Sequence, residues 1–372
     1  GTGTFISIAF GKNRDDTVRN EIFTSAVLTA GVTLAITALF YIFLDPIISL
    51  LQIPTELTAD TRTYLAWVFI GFFATFIYNF FANILRGMGN SSVPLVFLGI
   101  SVIMNIGLDM LFIIPFGMGI AGAAIATVIS QYCSAVGILL YFILAGKQYI
   151  PHKRDMKFDR GNIRDILSLS GFTCLQQSVM NFGILMIQGL VNSFGSSCIA
   201  GYSSAIKLNT FAITSFTTLS NGLSSFVAQN YGAGRNDRIR SGYKAGLVIS
   251  AIVAVPFILC FFCMPKTMIN LFLDDGGTKA VEIGTTFLRI ISPFYVFVGI
   301  KIMSDGALRG KGAMQYFMIS TFTDLILRVV LAFVLARPYG STGIWLSWPI
   351  GWLVSTVLSV VFARVKVMKN EL

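Results

Sequence analysis

Apolar runs long enough to cross a bilayer recur along the whole chain, separated by short polar joins. The alternation predicts ten helical spans, near residues 22–44, 62–85, 93–114, 119–145, 166–191, 198–223, 244–264, 284–308, 313–335 and 343–363. Residues 1–10 read as the tail of an earlier helix. Clusters of Gly, Pro, Asn and Ser mark the joins, as between Arg86 and Pro94 and between Pro115 and Met118. In hydrocarbon each segment must satisfy its own backbone groups, so runs of this length are helices rather than barrel strands.

The polar joins repeat. Residues 5–19 align without gaps to 226–240, with Phe5, Gly11, Arg14, Asp16 and Arg19 recurring as Phe226, Gly232, Arg235, Asp237 and Arg240. The register returns where Leu85, Arg86, Gly87 and Gly89 match Leu308, Arg309, Gly310 and Gly312, and again where Gly119 and Gly122 match Gly340 and Gly343. An even number of spans separates the matching motifs, so both copies share one orientation, a parallel repeat about an axis along the membrane normal. Such a repeat in an apolar chain points to a two-lobed transporter. The amino-terminal lobe covers 1–145, a polar cytoplasmic linker 146–165, and the carboxy-terminal lobe 166–372. Residues 166–221 have no counterpart before the first copy, so the first lobe is expected to be incomplete by about two helices.

Charge fixes the orientation. Of the 372 residues, 55% are hydrophobic and only 12% charged, half the share of a soluble domain. The net charge of +10 would suit nucleic acid if it formed a patch, but it is divided among alternate loops. Lys12, Arg14, Arg19, Arg86, Lys147, Lys153, Arg154, Lys157, Arg235, Arg238, Arg309 and Lys311 share one side. The opposite loops hold only Arg62, Lys266, Lys279 and Arg337, with the acidic residues Asp45, Glu56, Asp60, Asp274, Asp275 and Glu282. The first side is cytoplasmic. Basic residues of the linker can also meet anionic membrane lipid, although orientation alone accounts for them. The five cysteines lie in or beside apolar segments without metal-ligand spacing, and the one histidine, His152, sits in the charged linker. No Gly-rich phosphate loop, metal cluster or Ser-His-Asp set is present, so the pattern points away from an enzyme, a metal site and a cofactor.

Polar residues inside the spans carry the chemistry. Cys174, Gln177, Asn181, Gln188 and Asn192 fall on one helical face, and Lys207, Thr210, Thr214, Thr217, Asn221 and Ser224 on another. Two readings are open: hydrogen bonds between helices, at about 0.6 kcal/mol apiece, or a wet cavity, favoured by the length of the stripes and by a lysine without a carboxylate. Ser101, Asn105 and Asp109 on the third span and Thr127, Ser130, Gln131 and Ser134 on the fourth form a sparser set. Asp109 lies within about two turns of the outer end, where a structural and a functional carboxylate are almost equally expected. Asp324 and Arg328 stand at ion-pair spacing and read as a structural pair; Lys301 and Asp305 share that spacing near the cytoplasmic end, with Asp305 expected to reach cytoplasmic water.

The stretch Ala228, Gln229, Asn230, Tyr231, Gly232, Ala233, Gly234, Arg235, the Leu-Arg-Gly-x-Gly turns at 85–89 and 308–312, and the pair Asn105 and Asp109 resemble the multidrug and toxic compound extrusion (MATE) family. The resemblance covers essentially the whole chain. It implies an all-α polytopic membrane protein of two six-helix lobes, in a plasma membrane or a Gram-negative inner membrane, acting as a monomer. It further implies export of organic cations or drugs by alternating access, in exchange for Na+ or H+, with no nucleic-acid partner. By the family's order the ten spans are helices three to twelve. Its first helix, which in many members carries a coupling Asp, has no equivalent in this sequence, and where one branch has a Glu in the seventh helix, Gln176 and Gln177 stand here.

Asn105, Asp109, Gln131, Gln177, Asn181, Gln188, Lys207, Thr210, Thr214, Thr217 and Asp305 are therefore the candidate substrate and ion pathway. Among the carboxylates Asp109 ranks first for coupling, because it has no basic residue within one helical turn in sequence. Two alternatives stand: a flippase for lipid-linked oligosaccharide, whose pyrophosphate would need cations such as Lys207, Lys301 and Arg328, and a membrane fragment that does not transport.

Overall fold

The computed structural model describes residues 2–50, 57–158, 160–273 and 277–368; Glu56, Asp274 and Asp275 lie outside these. Among the described residues there is no strand. The chain divides into two compact units, Thr2–Ile166 and Leu167–Leu372. The first holds α1 (Thr2–Gly11), α2 (Asp15–Ile42), α3 (Leu44–Leu50), α4 (Thr58–Gly87), α5 (Ser92–Ile113) and α6 (Gly119–Ala145). Helix α7 (Arg160–Asn192) begins in the first unit and continues into the second. The second then holds α8 (Ser196–Gly232), α9 (Asn236–Cys263), α10 (Pro265–Asn270), α11 (Gly277–Ile291), α12 (Tyr295–Gly310), α13 (Met314–Tyr339) and α14 (Ser341–Ala363).

Every predicted span is helical. Nine of them are long and apolar enough to cross a membrane, with Gly277–Gly310 taken as one. The tenth, α8, is longer than the rest at 37 residues but less apolar, because Lys207, its threonines and its serines dilute it. Two features escaped the pattern. The span predicted at 284–308 is broken at Ser292–Phe294, where Pro293 withdraws a backbone donor. Short helices α3 and α10 follow α2 and α9 at the same place in each copy.

The repeat is built into the backbone. Helices α2 and α9 are both 28 residues long and start 221 residues apart, as do the turns before them. At those turns Asn13 (φ 52°) and Gly234 (φ 69°) both take the left-handed conformation that ends a helix. Gly89 (φ 90°) and Gly312 (φ 77°) do the same after α4 and α12. There Asn90 N–H reaches the Leu85 carbonyl at 2.8 Å, and Ala313 N–H the Leu308 carbonyl at 2.9 Å. Within the first unit α4 and α5 pack on α6; within the second α12 and α13 pack on α14. Small residues permit these contacts: a side chain at Gly343 of α14 would strike the Leu335 carbonyl of α13.

The second unit has the larger core. Tyr202 stacks on Trp345 at 5.2 Å, Phe287 meets both edge-on, and Tyr295, Trp348 and Trp352 extend the cluster. In the first unit Phe76, Phe80, Phe81 and Phe142 make a thinner chain of rings.

Candidate transport pathway

Helix α8 separates its residues cleanly. Leu208, Ala212, Phe216, Leu223 and Val227 are buried, while Lys207, Thr210, Thr214, Thr217 and Asn221 are exposed on the other side. Ser224, the last member of the stripe, turns under and is buried. Thr210 donates to the Ile206 carbonyl at 2.7 Å and Thr217 to the Ile213 carbonyl at 2.9 Å. Their hydroxyl protons are thus satisfied within α8 and leave oxygen lone pairs outward. Lys207 is exposed, with its ammonium 5.8 Å from the Phe272 ring centre. On α7, Gln177 and Asn181 are exposed, and half-buried Gln188 donates to Asn192 at 2.8 Å. Gln176, next to Gln177, points inward and is buried.

Among the first-lobe candidates, Asn105 on α5 donates to Thr127 on α6 at 3.4 Å, and Ser101 to the Ser130 carbonyl at 2.9 Å. Gln131 is half-buried, and its side-chain oxygen reaches across to Gly71 of α4, where a Cβ would lie 2.6 Å from it. Asp109 is half-buried and one of its carboxylate oxygens, Oδ1, is shielded and unpartnered.

The remaining carboxylate candidates each sit in an ion pair, with Asp324 Oδ1 and Arg328 Nε left without a hydrogen-bond partner. Asp324 and Arg328 form the expected pair, and the guanidinium lies over the Trp348 ring at 4.5 Å. Lys301 and Asp305 are paired at 2.8 Å, and Ser359 donates to the second Asp305 oxygen at 2.7 Å. Asp305 is only 3% exposed, so the expectation that it reaches cytoplasmic water is corrected. Three helices, α12, α13 and α14, close over it, because Ser320 of α13 continues the chain of hydroxyls from Ser359.

An open cavity of about 340 Å³ lies in the first lobe, bounded by α1, α2 and α4. Phe72, Phe76 and Phe80 give it aromatic faces, and Thr29, Thr33, Thr75, Asn79 and Asn83 give it uncharged polar groups. None of the residues singled out from the sequence lines it. Its signal was present nonetheless: Glu21, Ser25, Thr29 and Thr33 recur at steps of four along α2, hidden because the intervening positions are so apolar.

The MatE family profile matches residues 1–111 and 172–334, more than half of the chain. The chain belongs to the MATE family. Among MATE relatives, it is 29% identical over 364 residues to the probable multidrug resistance protein YpnP of Bacillus subtilis, covering 98% of this chain and 81% of that protein. It is 26% identical to the probable multidrug resistance protein NorM of Thermotoga maritima, covering 97% and 79%. The multidrug export protein MepA of Staphylococcus aureus is 24% identical, covering 92% and 76%. A MATE transporter solved in an outward-facing conformation superimposes with a TM-score of 0.92 at 20% identity, over 99% of this chain and 83% of that one. A MATE structure in a bent conformation gives 0.91 at 21% identity, over 99% and 82%. With its apolar helices, this MATE chain is a multi-pass protein of the cell membrane.

Proposed function

We propose that the protein exports drugs or organic cations by alternating access, driven by inward movement of H+ or Na+. The observation that carries this reading is the first-lobe cavity. Its volume is of drug-ligand size, and it presents aromatic faces and uncharged hydrogen-bonding groups with no cation among its lining residues. Aromatic faces attract an organic cation, and hydroxyl and amide oxygens can replace part of its hydration. Within the second lobe, α7 and α8 carry exposed hydroxyl and amide oxygens of the same uncharged polar kind. The relatives whose names include multidrug resistance or export agree with this substrate class.

Asp109 is the carboxylate to which we assign ion coupling. A shielded carboxylate oxygen with no internal partner can take a proton or Na+, and Asn105 one turn away is placed to steady it. The flippase reading has less support, because Lys301 and Arg328 are committed to buried pairs and cannot also hold a pyrophosphate.

The test is uptake of a fluorescent organic cation into inverted vesicles under an imposed pH or Na+ gradient. Asp109→Asn should abolish gradient-driven transport, while size-exclusion behaviour and substrate binding persist. Normal transport by Asp109→Asn together with an inactive Asp324→Asn would overturn the assignment.

A further inference from the structure

Helix α2 carries a buried carboxylate that forms no ion pair among the described residues. Glu21 is 4% exposed, and its Oε2 is buried without a hydrogen-bond partner. One turn on, Thr24 and Ser25 are both 0% exposed, and both hydroxyl oxygens are likewise unpartnered. By contrast, Ser7, Thr33, Ser204, Thr210 and Thr217 each donate to the carbonyl one turn back. Of the unpartnered buried hydroxyls in the described residues, Thr24, Ser25 and Thr321 lie within one turn of a buried, unpartnered carboxylate oxygen on the same helix, and the carboxylate beside Thr321, Asp324, is paired with Arg328. Side chains on a helix lean toward its amino end, so Thr24 and Ser25 lean toward Glu21. Three unpartnered oxygens within one buried turn mark a place that takes up something small.

The charged surroundings are sparse. Lys12, exposed in the turn before α2, is the cation whose field reaches Glu21. Arg19, on the same helix, is spent on Asp16 and Asp155. Helix α1 contains no titratable side chain, the short helix Lys147–Tyr149 packed on α2 brings Lys147 and Tyr149, and on the near half of α4 the candidates are Tyr78, bonded to the Pro94 carbonyl, and Arg86, bonded to Asn83. A bare carboxylate buried with a single exposed lysine at a distance is costly, whereas the neutral acid is not.

The same helix connects this turn to the cavity. Ser25 is followed at steps of four by Thr29 and Thr33, which line it. From Glu21 to Thr29 is about 12 Å along the axis, and a step of one turn between hydroxyls is short enough for one water to span. We propose that Glu21 is a proton-carrying site on the cytoplasmic side of the first lobe, linked to the cavity by the hydroxyls of Thr24, Ser25 and Thr29. A proton arriving from cavity water binds the Ser25 hydroxyl oxygen as that hydroxyl passes its own proton to Glu21 Oε2. The acid then releases its proton to cytoplasmic water beside Lys12, so each transit returns carboxylate and hydroxyls to their starting state. Asp109, near the outer end of α5, and Glu21, near the inner end of α2, would serve successive stages. The transport arm of the test rests on the exporter reading; the spectroscopic arm does not.

Infrared difference spectra of the purified protein, titrated across neutral pH, read the acid directly. A protonated-carboxyl band that disappears in Glu21→Gln and shifts in Glu21→Asp is expected. In vesicles, Glu21→Gln should lose at least tenfold in pH-driven transport while binding substrate as before, and Ser25→Ala, which keeps the acid but interrupts the relay, should slow transport severalfold. The band with no transport by the unaltered protein would refute the exporter reading and leave the proton site standing. An unchanged band in Glu21→Gln, unimpaired pH-driven transport by both variants, or a Glu21-dependent signal that follows Na+ and not pH would overturn the proposal.

Discussion

Helices α2 and α9 occupy the same place in the two copies of the repeat, yet they treat charge in opposite ways. At the register of Glu21, Ser25, Thr29 and Thr33 the second copy has Gly242, Gly246, Ser250 and Ala254. Its buried carboxylate is on α12 instead, where Asp305 is paired with Lys301; the first copy has Ala82 and Tyr78 at those positions. Among the described residues, helix α2 thus buries Glu21 without an ion-pair partner, whereas α12 pairs its buried Asp305 with Lys301. A buried ion pair is held by its own geometry, whereas an unpaired acid exchanges with whatever reaches it. The comparison separates a lobe braced by charge from one that can respond to it.

The strongest way to break this contrast is to remove the brace. Lys301→Ala should lower the unfolding free energy by about 3–5 kcal/mol, because Asp305 is left charged and alone. The double substitution Lys301→Met with Asp305→Leu should recover most of that loss, as measured by thermal unfolding in detergent. Equal destabilisation by single and double variants would show that the pair is not the source. Placing the acid in the wrong copy comes next. A Cβ at Gly242 runs into the Phe226 ring, so Gly242→Glu should cost about 2–3 kcal/mol through crowding and an unpaired charge. If it is tolerated, the register match between α2 and α9 carries no meaning for charge.

The linker offers a third test. Asp155 accepts from Arg19 Nε at 2.8 Å and from His152 N–H at 3.1 Å, and Asn20 donates to the Asp155 carbonyl at 2.7 Å. Its burial alone would raise the carboxyl's pKa, but the His152 and Arg19 contacts outweigh this and hold it below its ordinary 3.8. A depressed carboxylate stabilises the fold fully above its ordinary value, and the contribution fades as pH falls through the lower folded value. Protection factors against hydrogen exchange along 147–158, referred to the intrinsic rate at each pH, should therefore stay high at neutral pH and fall only in strong acid, and Asp155→Asn should lower them at neutral pH. Two smaller effects finish the series. Asn13→Gly should stabilise by about 0.5–1 kcal/mol, making the first turn resemble Gly234. Glu21→Gln should shift unfolding by less than about 0.5 kcal/mol, because it mimics the neutral acid. A large loss there would mean that Glu21 has a structural partner.

Much of this was legible in the chain. The spans followed from apolar length, the turns from Gly and Asn, and the pairs Asp324–Arg328 and Lys301–Asp305 from a spacing of four. What spacing could not give was depth. Asp305 sits near the cytoplasmic end of its helix, and only the packing of α13 and α14 shows that it is sealed from water. Glu21 follows Arg19 closely and reads in the sequence as part of a charged boundary; burial against the first-lobe core makes it something else. The stripes on α7 and α8 drew attention because polar residues are dense there, whereas four polar residues spread over α2 were lost among leucines and valines.

The Arg19 and Asp155 contact also bears on how the protein is made. The partners are 136 residues apart in sequence, and Asn162 on the first turn of α7 adds a bond back to Asn20 at 3.0 Å. A nascent chain that has delivered α1 to α6 into the membrane therefore still lacks the strap across their cytoplasmic end. The first lobe is finished only when the opening turn of α7 leaves the ribosome, so synthesis of the second half begins before the first can close.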